Sequence, residues 1–372
     1  MPHARLTRLI IVLGLFNPVV QRAHAQAAPG PSARWYRGNT HCHTLNSDGN
    51  ASPADVVQWY KQHGYDFVVI SDHERVTQAG PLNKQFAEPG KFLVLQGEEV
   101  TQKVADSLVP DGRLHAHVGA IGISTAILPL GDRGVAAGTT MSAVYARNVA
   151  AIVAAGGVAQ INHPNFRWSV KADDIAQLPD STLIEVWNAH PWVNNLGGSD
   201  GQGRVSPSTE ALWDTLLTRG RLFFGVASDD AHEYHTAELE DPLATRPGGG
   251  WVMVRADTLS QQSIMAAMKS GNFYATNGVL LDDYRASQSR IEITIAAPGR
   301  PEDVRRFHTR FIGRGGKILA DVYGRKASYT ISGDEGYVRA TITDSNGLKA
   351  WTQPVRLAPR SATRSPGATP RR

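Results

Sequence analysis

The chain has 372 residues, 41% of them hydrophobic, enough for one large domain with a full core and a smaller one beside it. Its formal charge of +4 and pI of about 9.2 suggest nucleic acid, but the excess is terminal. Arg5, Arg8 and Arg22 fall in the first stretch and Arg360, Arg364, Arg371 and Arg372 in the last, both free of Asp and Glu, so the mildly acidic body between them excludes a basic nucleic-acid-binding stripe.

Residues 1–25 have the layout of a signal peptide: Arg5 and Arg8, an apolar run from Leu9 to Val20, then Ala23-His24-Ala25 as an A-x-A cleavage site. A membrane span would need about 20 apolar residues, and Asn17-Pro18 interrupts this run. No Cys follows it and no twin Arg precedes it, so the expectation is general export, to the periplasm or beyond. The cleaved chain would hold one Cys, Cys42, and no internal disulfide, leaving its stability to its core and any bound metal.

Seven apolar, β-branched runs follow: "WYRGNTHCH" (35–43), "FVVISDH" (67–73), "FLVLQGEEV" (92–100), "HVGAIGI" (117–123), "GVAQINHP" (157–164), "LIEVWNA" (183–189) and "RLFFGVASDD" (221–230). Near-continuous apolar runs imply strands buried on both faces. In "SPADVVQWYKQHG", Ser52 is placed to cap a helix, Pro53 suits its first position and Gly64 ends it. "MSAVYARNVAAIVAAGG", "STEALWDTLLTRG" and "SQQSIMAAMKSG" are further helices stopped by Gly. Strand alternating with helix predicts a distorted (β/α)7 TIM-like barrel over 35–285, with an open doubly wound sheet as the alternative. From 286 to 357 apolar and polar residues alternate between turns, which predicts a small antiparallel β-sandwich-like domain, and 358–372 reads as a disordered basic tail.

In this layout His41 and His43 end the first strand, His73 the second, Glu99 the third, and His163 the fifth; Asp230 and His232 follow the seventh, and Asp48 lies in the first loop. Barrel strand ends and their loops share one rim, where such folds keep their active sites. His117, placed at a strand start, is the odd member. Imidazole and carboxylate together are ligands for Zn²⁺, Mn²⁺ or Fe²⁺. Cys42, between two of the His, would point away from them on a strand and is read as a packing residue. Glu98, His115 and Asp229 stand as alternatives to Glu99, His117 and Asp230.

In order, "HCHTLNSDG", "SDH", "GEEVT", "HVGAIG", "NHP" and "SDDAH" resemble the PHP (polymerase and histidinol phosphatase) superfamily, most closely its CehA/McbA-like subgroup of predicted metal-dependent phosphoesterases. The resemblance spans roughly 35–285, and "YVRATITDSNGLKAWTQPVRL" resembles the C-terminal appendage of such proteins. It implies a distorted seven-stranded barrel with two or three divalent ions. One would take His41, His43, Glu99 and Asp230; a second would share Glu99 and take His117 and His163; a third would take Asp48, His73 and His232.

The expected function is hydrolysis of a small phosphomonoester or phosphodiester, with Glu99, Asp48 and His232 as the catalytic residues. Two cations about 3.5–4 Å apart acidify a water between them, so the attacking hydroxide needs no Ser or Cys nucleophile. Arg75, Arg167, Asn188 and His190 are the substrate-binding candidates, on loops or strand ends beside the expected ligands. Two readings remain beside this one: an ester, carbamate or amide hydrolase on the same metal scaffold, and a non-catalytic metal-binding cell-surface protein.

Overall fold

In a computed structural model of the protein the described residues are 22–26, 30, 32–105, 112–130, 135–136, 138–201, 203–235, 241–297 and 304–358. Nearly all of the expected leader and of the basic tail lie outside them. Among the described residues no helix is long and apolar enough to cross a membrane. His24 exchanges two backbone hydrogen bonds with Arg356, at 2.8 and 2.9 Å, and cleavage after Ala25 would remove that pairing.

The seven apolar runs form strands β1 (Arg34–Asn39), β2 (Phe67–Ile70), β3 (Leu93–Ala105), β4 (Arg113–Ile121), β5 (Val158–Ile161), β6 (Thr182–Asn188) and β7 (Phe223–Ser228), hydrogen-bonded in that order. β2, β5 and β7 are buried at every position, as strands covered on both faces require. Pairing is parallel from β1 to β3 and from β5 to β7. β4 runs antiparallel to both its neighbours. Only residues 106–112 separate it from β3, whereas a parallel return needs a crossover of about a dozen residues or more. The strict alternation of a (β/α)7 barrel is therefore broken at β4. Beyond β1 and β7 the edges meet through one parallel bridge, Cys42 to Ala231, flanked by hydrogen bonds from Asp230 N to His41 O and from His43 N to Ala231 O, both 2.9 Å.

Among the described residues the α-helices are α1 (Pro53–Gln62), α2 (Ala79–Phe86), α3 (Met141–Ala154), α4 (Ala172–Ile175), α5 (Thr209–Thr218) and α6 (Gln261–Lys269). Ser52 Oγ accepts from Asp55 N at 3.2 Å, and Thr140, Ser208 and Ser260 cap α3, α5 and α6 in the same way. α2 contains Gly80 and Pro81, helix breakers that hide it from a pattern search. Cys42 is fully buried and packs among Val56, Val57 and Tyr60 of α1, as expected of a core residue.

The C-terminal strands are β8 (Trp251–Ala256), β9 (Phe273–Thr276), β10 (Leu281–Ala286), β11 (Arg290–Ile295), β12 (Phe307–Gly313), β13 (Lys317–Tyr323), β14 (Lys326–Thr330), β15 (Tyr337–Asp344), β16 (Lys349–Thr352) and β17 (Val355–Arg356). They do not make a detached sheet. β8 pairs antiparallel with β1, and hydrogen bonding continues through β9, β16, β15, β12 and β13. β10, β11 and β14 form a second, three-stranded sheet, and Tyr284 and Ile291 from it share one apolar cluster with Phe311 and Ile342 from the first. β10 thus belongs with this region, although the expected boundary fell at 285.

A candidate metal centre at the rim of the ring

The reversal of β4 accounts for His117. An antiparallel strand runs inward from the rim where its parallel neighbours end, so His117, midway along β4, lies beside the outer half of β3 and the end of β5. His117 pairs in register with Thr101, Glu99 with Gly119, and an isolated bridge joins His73 to Glu99. Gly119 leaves room beside the site: a Cβ there would lie 3.0 Å from Asn162 Oδ1 and press on the amide that also serves Glu99. The loop carrying Asp48 is pinned by buried Asp72, which accepts from Thr44 N and Ser47 Oγ, each at 2.8 Å, and from Thr77 Oγ1 at 2.5 Å.

All nine predicted ligands converge into three sets, each with donor atoms within 4.8 Å of one another: His41, His43, Glu99 and Asp230; Glu99, His117 and His163; and His43, Asp48, His73 and His232. Glu99 Oε1 lies 3.1 Å from His117 Nδ1 and 3.1 Å from His163 Nε2, while Oε2 lies 3.3 Å from His41 Nε2. Asp230 Oδ1 is 3.1 Å from His41 and 3.2 Å from His43. The His43 ring joins two sets: its Nε2 faces Asp230, and its Nδ1 lies 3.5 Å from Asp48. His73 and His232 approach Asp48 at 3.4 and 3.5 Å.

A second layer orients these groups. Glu185, fully buried on β6, accepts from His41 Nδ1 at 2.8 Å, from Ser228 Oγ at 2.5 Å, from His163 N at 2.5 Å and from Asn188 Nδ2 at 2.8 Å. When Nε2 gives up its proton to a cation, the proton held on Nδ1 by Glu185 keeps His41 in the tautomer that a ligating imidazole needs. His232 Nδ1 likewise donates to the Asp230 carbonyl, at 2.9 Å. His163 and Asp230 have φ of 25° and 52°, left-handed conformations that cost non-glycine residues about 1–3 kcal/mol each. Glu185→Gln should keep the fold and cost about 10–100-fold in metal affinity or activity. Metal titration of the variant checks this, and unchanged affinity would refute the role.

Electrostatics separate the ligands from the alternatives. Burial opposes ionisation of Glu99 and Asp230, yet His41 and the other facing imidazoles hold both carboxyls well below the usual range. Burial depresses His117 to about 3, leaving a neutral imidazole. Burial instead raises Glu98 to about 7 and Asp229 to about 6. Glu98 accepts from Ile127 N at 2.8 Å, and Asp229 from Tyr60 Oη and the amides of Gly249 and Gly250, outside all three sets. His115 lines the cavity above the centre but joins no set.

That cavity is about 1030 Å³ and exposes Asp48, His73, Glu99, His117, His163, Asp230 and His232. Of the predicted substrate-binding residues, His190 lines it. Asn188 lies behind, donating to Glu185 at 2.8 Å and to Asp230 at 3.2 Å. Arg75 and Arg167 are exposed and are not among the lining residues. Sequence reasoning missed Glu185, whose signal was one carboxylate inside an apolar run, and Lys103, which shares strand parity with Glu99.

No protein-family model matches the chain, and no curated protein does. Among solved structures, it is similar to a two-domain protein from Bacteroides vulgatus containing a predicted PHP-like metal-dependent phosphoesterase, with 14% identity, 89% of this chain and 98% of that one covered, and a TM-score of 0.44. A protein from Bifidobacterium adolescentis named as a candidate metal-dependent phosphoesterase gives 18% identity over 55% and 89% of the two chains, with a TM-score of 0.33. An amidohydrolase from Chromobacterium violaceum gives 17% over 56% and 93%, with a TM-score of 0.32. With every TM-score below 0.5, these likenesses carry no functional weight.

Proposed function

We propose that this chain is a metal-dependent hydrolase of the PHP superfamily, CehA/McbA-like, acting on a small phosphomonoester or phosphodiester. The observation that supports it best is the convergence of nine imidazole and carboxylate side chains into three donor sets that share Glu99 and His43 and open into one cavity. The donors fit divalent cations: each set mixes His with at least one carboxylate, the chemistry of Zn²⁺, Mn²⁺ and Fe²⁺ sites. His41, His43, Glu99 and Asp230 would hold one ion, Glu99, His117 and His163 a second, and Asp48, His73 and His232, with His43 on their edge, a third. Bound there, such ions supply Lewis acidity and lower the pKa of water from about 15.7 towards 7.

The chain's own groups do the rest. Glu185 and the Asp230 carbonyl fix the tautomers of His41 and His232, Asp72 pins the loop of Asp48, and Asn162 and Asn188 hold the oxygens of Glu99 and Asp230. Asp48, half exposed at the mouth between His73 and His232, is placed to meet substrate. In this reading Glu99, Asp48 and His232 carry catalysis and His190 contacts substrate. The leader pattern of residues 1–25 supports export.

One observation favours a second substrate class, an ester, carbamate or amide. The cavity wall carries Leu128, Phe166, Trp192 and Leu243, and no arginine among the described residues lines it. The test is hydrolysis of an aryl phosphate monoester, an aryl phosphate diester and an aryl carbamate by protein stripped of metal and reloaded with Mn²⁺ or Zn²⁺. Metal-dependent phosphate release is expected. Turnover of the carbamate alone would move the substrate class, and turnover of none would remove the hydrolase reading.

A further inference from the structure

We propose that Lys103 anchors a second anionic group of the substrate, a carboxylate or a second phosphate, set apart from the bond that is cleaved. The inference rests on the hydrolase reading and narrows its substrate class. Glu99, Thr101 and Lys103 alternate along β3 and all three line the cavity, so they project from one face of the strand. Lys103 is the one Lys or Arg among the described lining residues.

Two features set its ammonium apart on the cavity wall. The cavity wall presents five carboxylates, Asp48, Glu74, Glu99, Asp230 and Glu233. Three belong to the donor sets, and Glu233 accepts from Thr245 N at 2.6 Å. Lys103 forms no ion pair with any of them, nor with any other described residue, although it is half-buried. With no counter-ion among the described residues, the Lys103 charge on the cavity wall is left to solvent or to a substrate anion, which would form a charge-assisted contact there.

The register sets the spacing. Four residues of strand place Lys103 about 13 Å beyond Glu99 at ~3.3 Å per residue, less what its flexible side chain recovers by leaning back. That separation suits an elongated dianion better than a lone phosphoryl group. Glu74, also on the wall, disfavours anions on its own side.

The test uses a non-hydrolysable pair: a benzylphosphonate with a para carboxypropyl chain, and its para-butyl counterpart without the second charge. Calorimetry measures both on Mn²⁺-loaded wild type, Lys103→Met and Lys103→Arg, and the matching aryl phosphates are assayed in parallel. The carboxylate should tighten binding about 10-fold in wild type and in Lys103→Arg, and the advantage should vanish in Lys103→Met while the butyl compound binds all three alike. Equal affinity for the pair in wild type, an advantage that survives in Lys103→Met, or binding of neither compound would overturn the proposal. Carboxylate-dependent binding without turnover of either ester would instead overturn the phosphoesterase reading and leave Lys103 as an anion site.

Discussion

Glu99→Gln should abolish hydrolysis and strip the centre of metal while leaving the chain folded. The substitution keeps the side chain's size and removes one negative charge from a position with 1% exposure. Oε1 faces His117 Nδ1 and His163 Nε2, and it also accepts from Asn162 Nδ2 at 2.8 Å. Oε2 faces Nε2 of His41 and of His43 and, at 3.2 Å, Nδ1 of His73. An amide nitrogen at the first position opposes the Asn162 amide, and at the second it spends its protons on nitrogens that need to face a cation. Losing one preorganised electrostatic group costs about 10²–10³-fold in rate. Glu99 belongs to two donor sets at once, so the loss should exceed that range. Elemental analysis of purified protein should show at least one ion fewer per chain, with circular dichroism unchanged. Asp48→Asn touches one set and a half-exposed side chain, so its effect should be smaller. Full metal content with activity within threefold of wild type would remove Glu99 from the centre.

The candidate site was more legible than the path of the chain that builds it. Imidazoles and carboxylates at the ends of apolar runs are visible in one dimension, because a rim gathers strand ends whatever their order. Hydrophobic periodicity, by contrast, reports burial and not direction. "FLVLQGEEV" and "HVGAIGI" read as buried strand in either orientation, and only the extension of β3 to Ala105 and of β4 back to Arg113 leaves a span too short for a parallel return. His117 looked displaced for that reason. The two candidate arginines are a different case: Arg75 and Arg167 neighbour His73 and the "NHP" segment in sequence but are not among the residues lining the cavity, because loop adjacency does not set where a side chain points. Arg167 sits at φ 51° and is exposed. Lys103 needed no loop, only the strand's two-residue period counted onward from Glu99. The continuity of the C-terminal sheet with β1 was hidden because β8 and β9, which flank α6, fall between the seventh apolar run and the alternating region from 286 and were not among the expected strands.

Arg339→Met should produce the largest loss of stability of any single change outside the centre, with little effect on catalysis. Arg339 lies on β15, fully buried, and reaches across to α5. Its Nε and Nη2 each donate to Asp214 at 2.7 Å, one to each carboxylate oxygen, Nη1 donates to Glu210 at 3.1 Å, and the guanidinium lies 4.7 Å from the Trp213 ring centre. Tyr337 Oη adds a further hydrogen bond to Asp214 at 2.8 Å. Helix α5 connects β6 to β7, which carry Glu185 and lead into Asp230, so this clamp braces the C-terminal sheet against the back of the ring. Methionine fills much of the volume but leaves Asp214 buried without its cation, and breaking a buried pair from one side costs about 3–5 kcal/mol. Removing both charges is far less costly, because the desolvation of each ion is relieved together with the attraction. Arg339→Met with Asp214→Leu should therefore recover a large part of the loss. Urea unfolding followed by tryptophan fluorescence and by circular dichroism measures this: the single variant should show a midpoint well below wild type and the double variant an intermediate one. A single-variant loss under about 1 kcal/mol, the level of an exposed pair, would show that the C-terminal sheet is held to the ring by its strand pairing and its other contacts, such as Gln353 with Gly225, without need of this clamp.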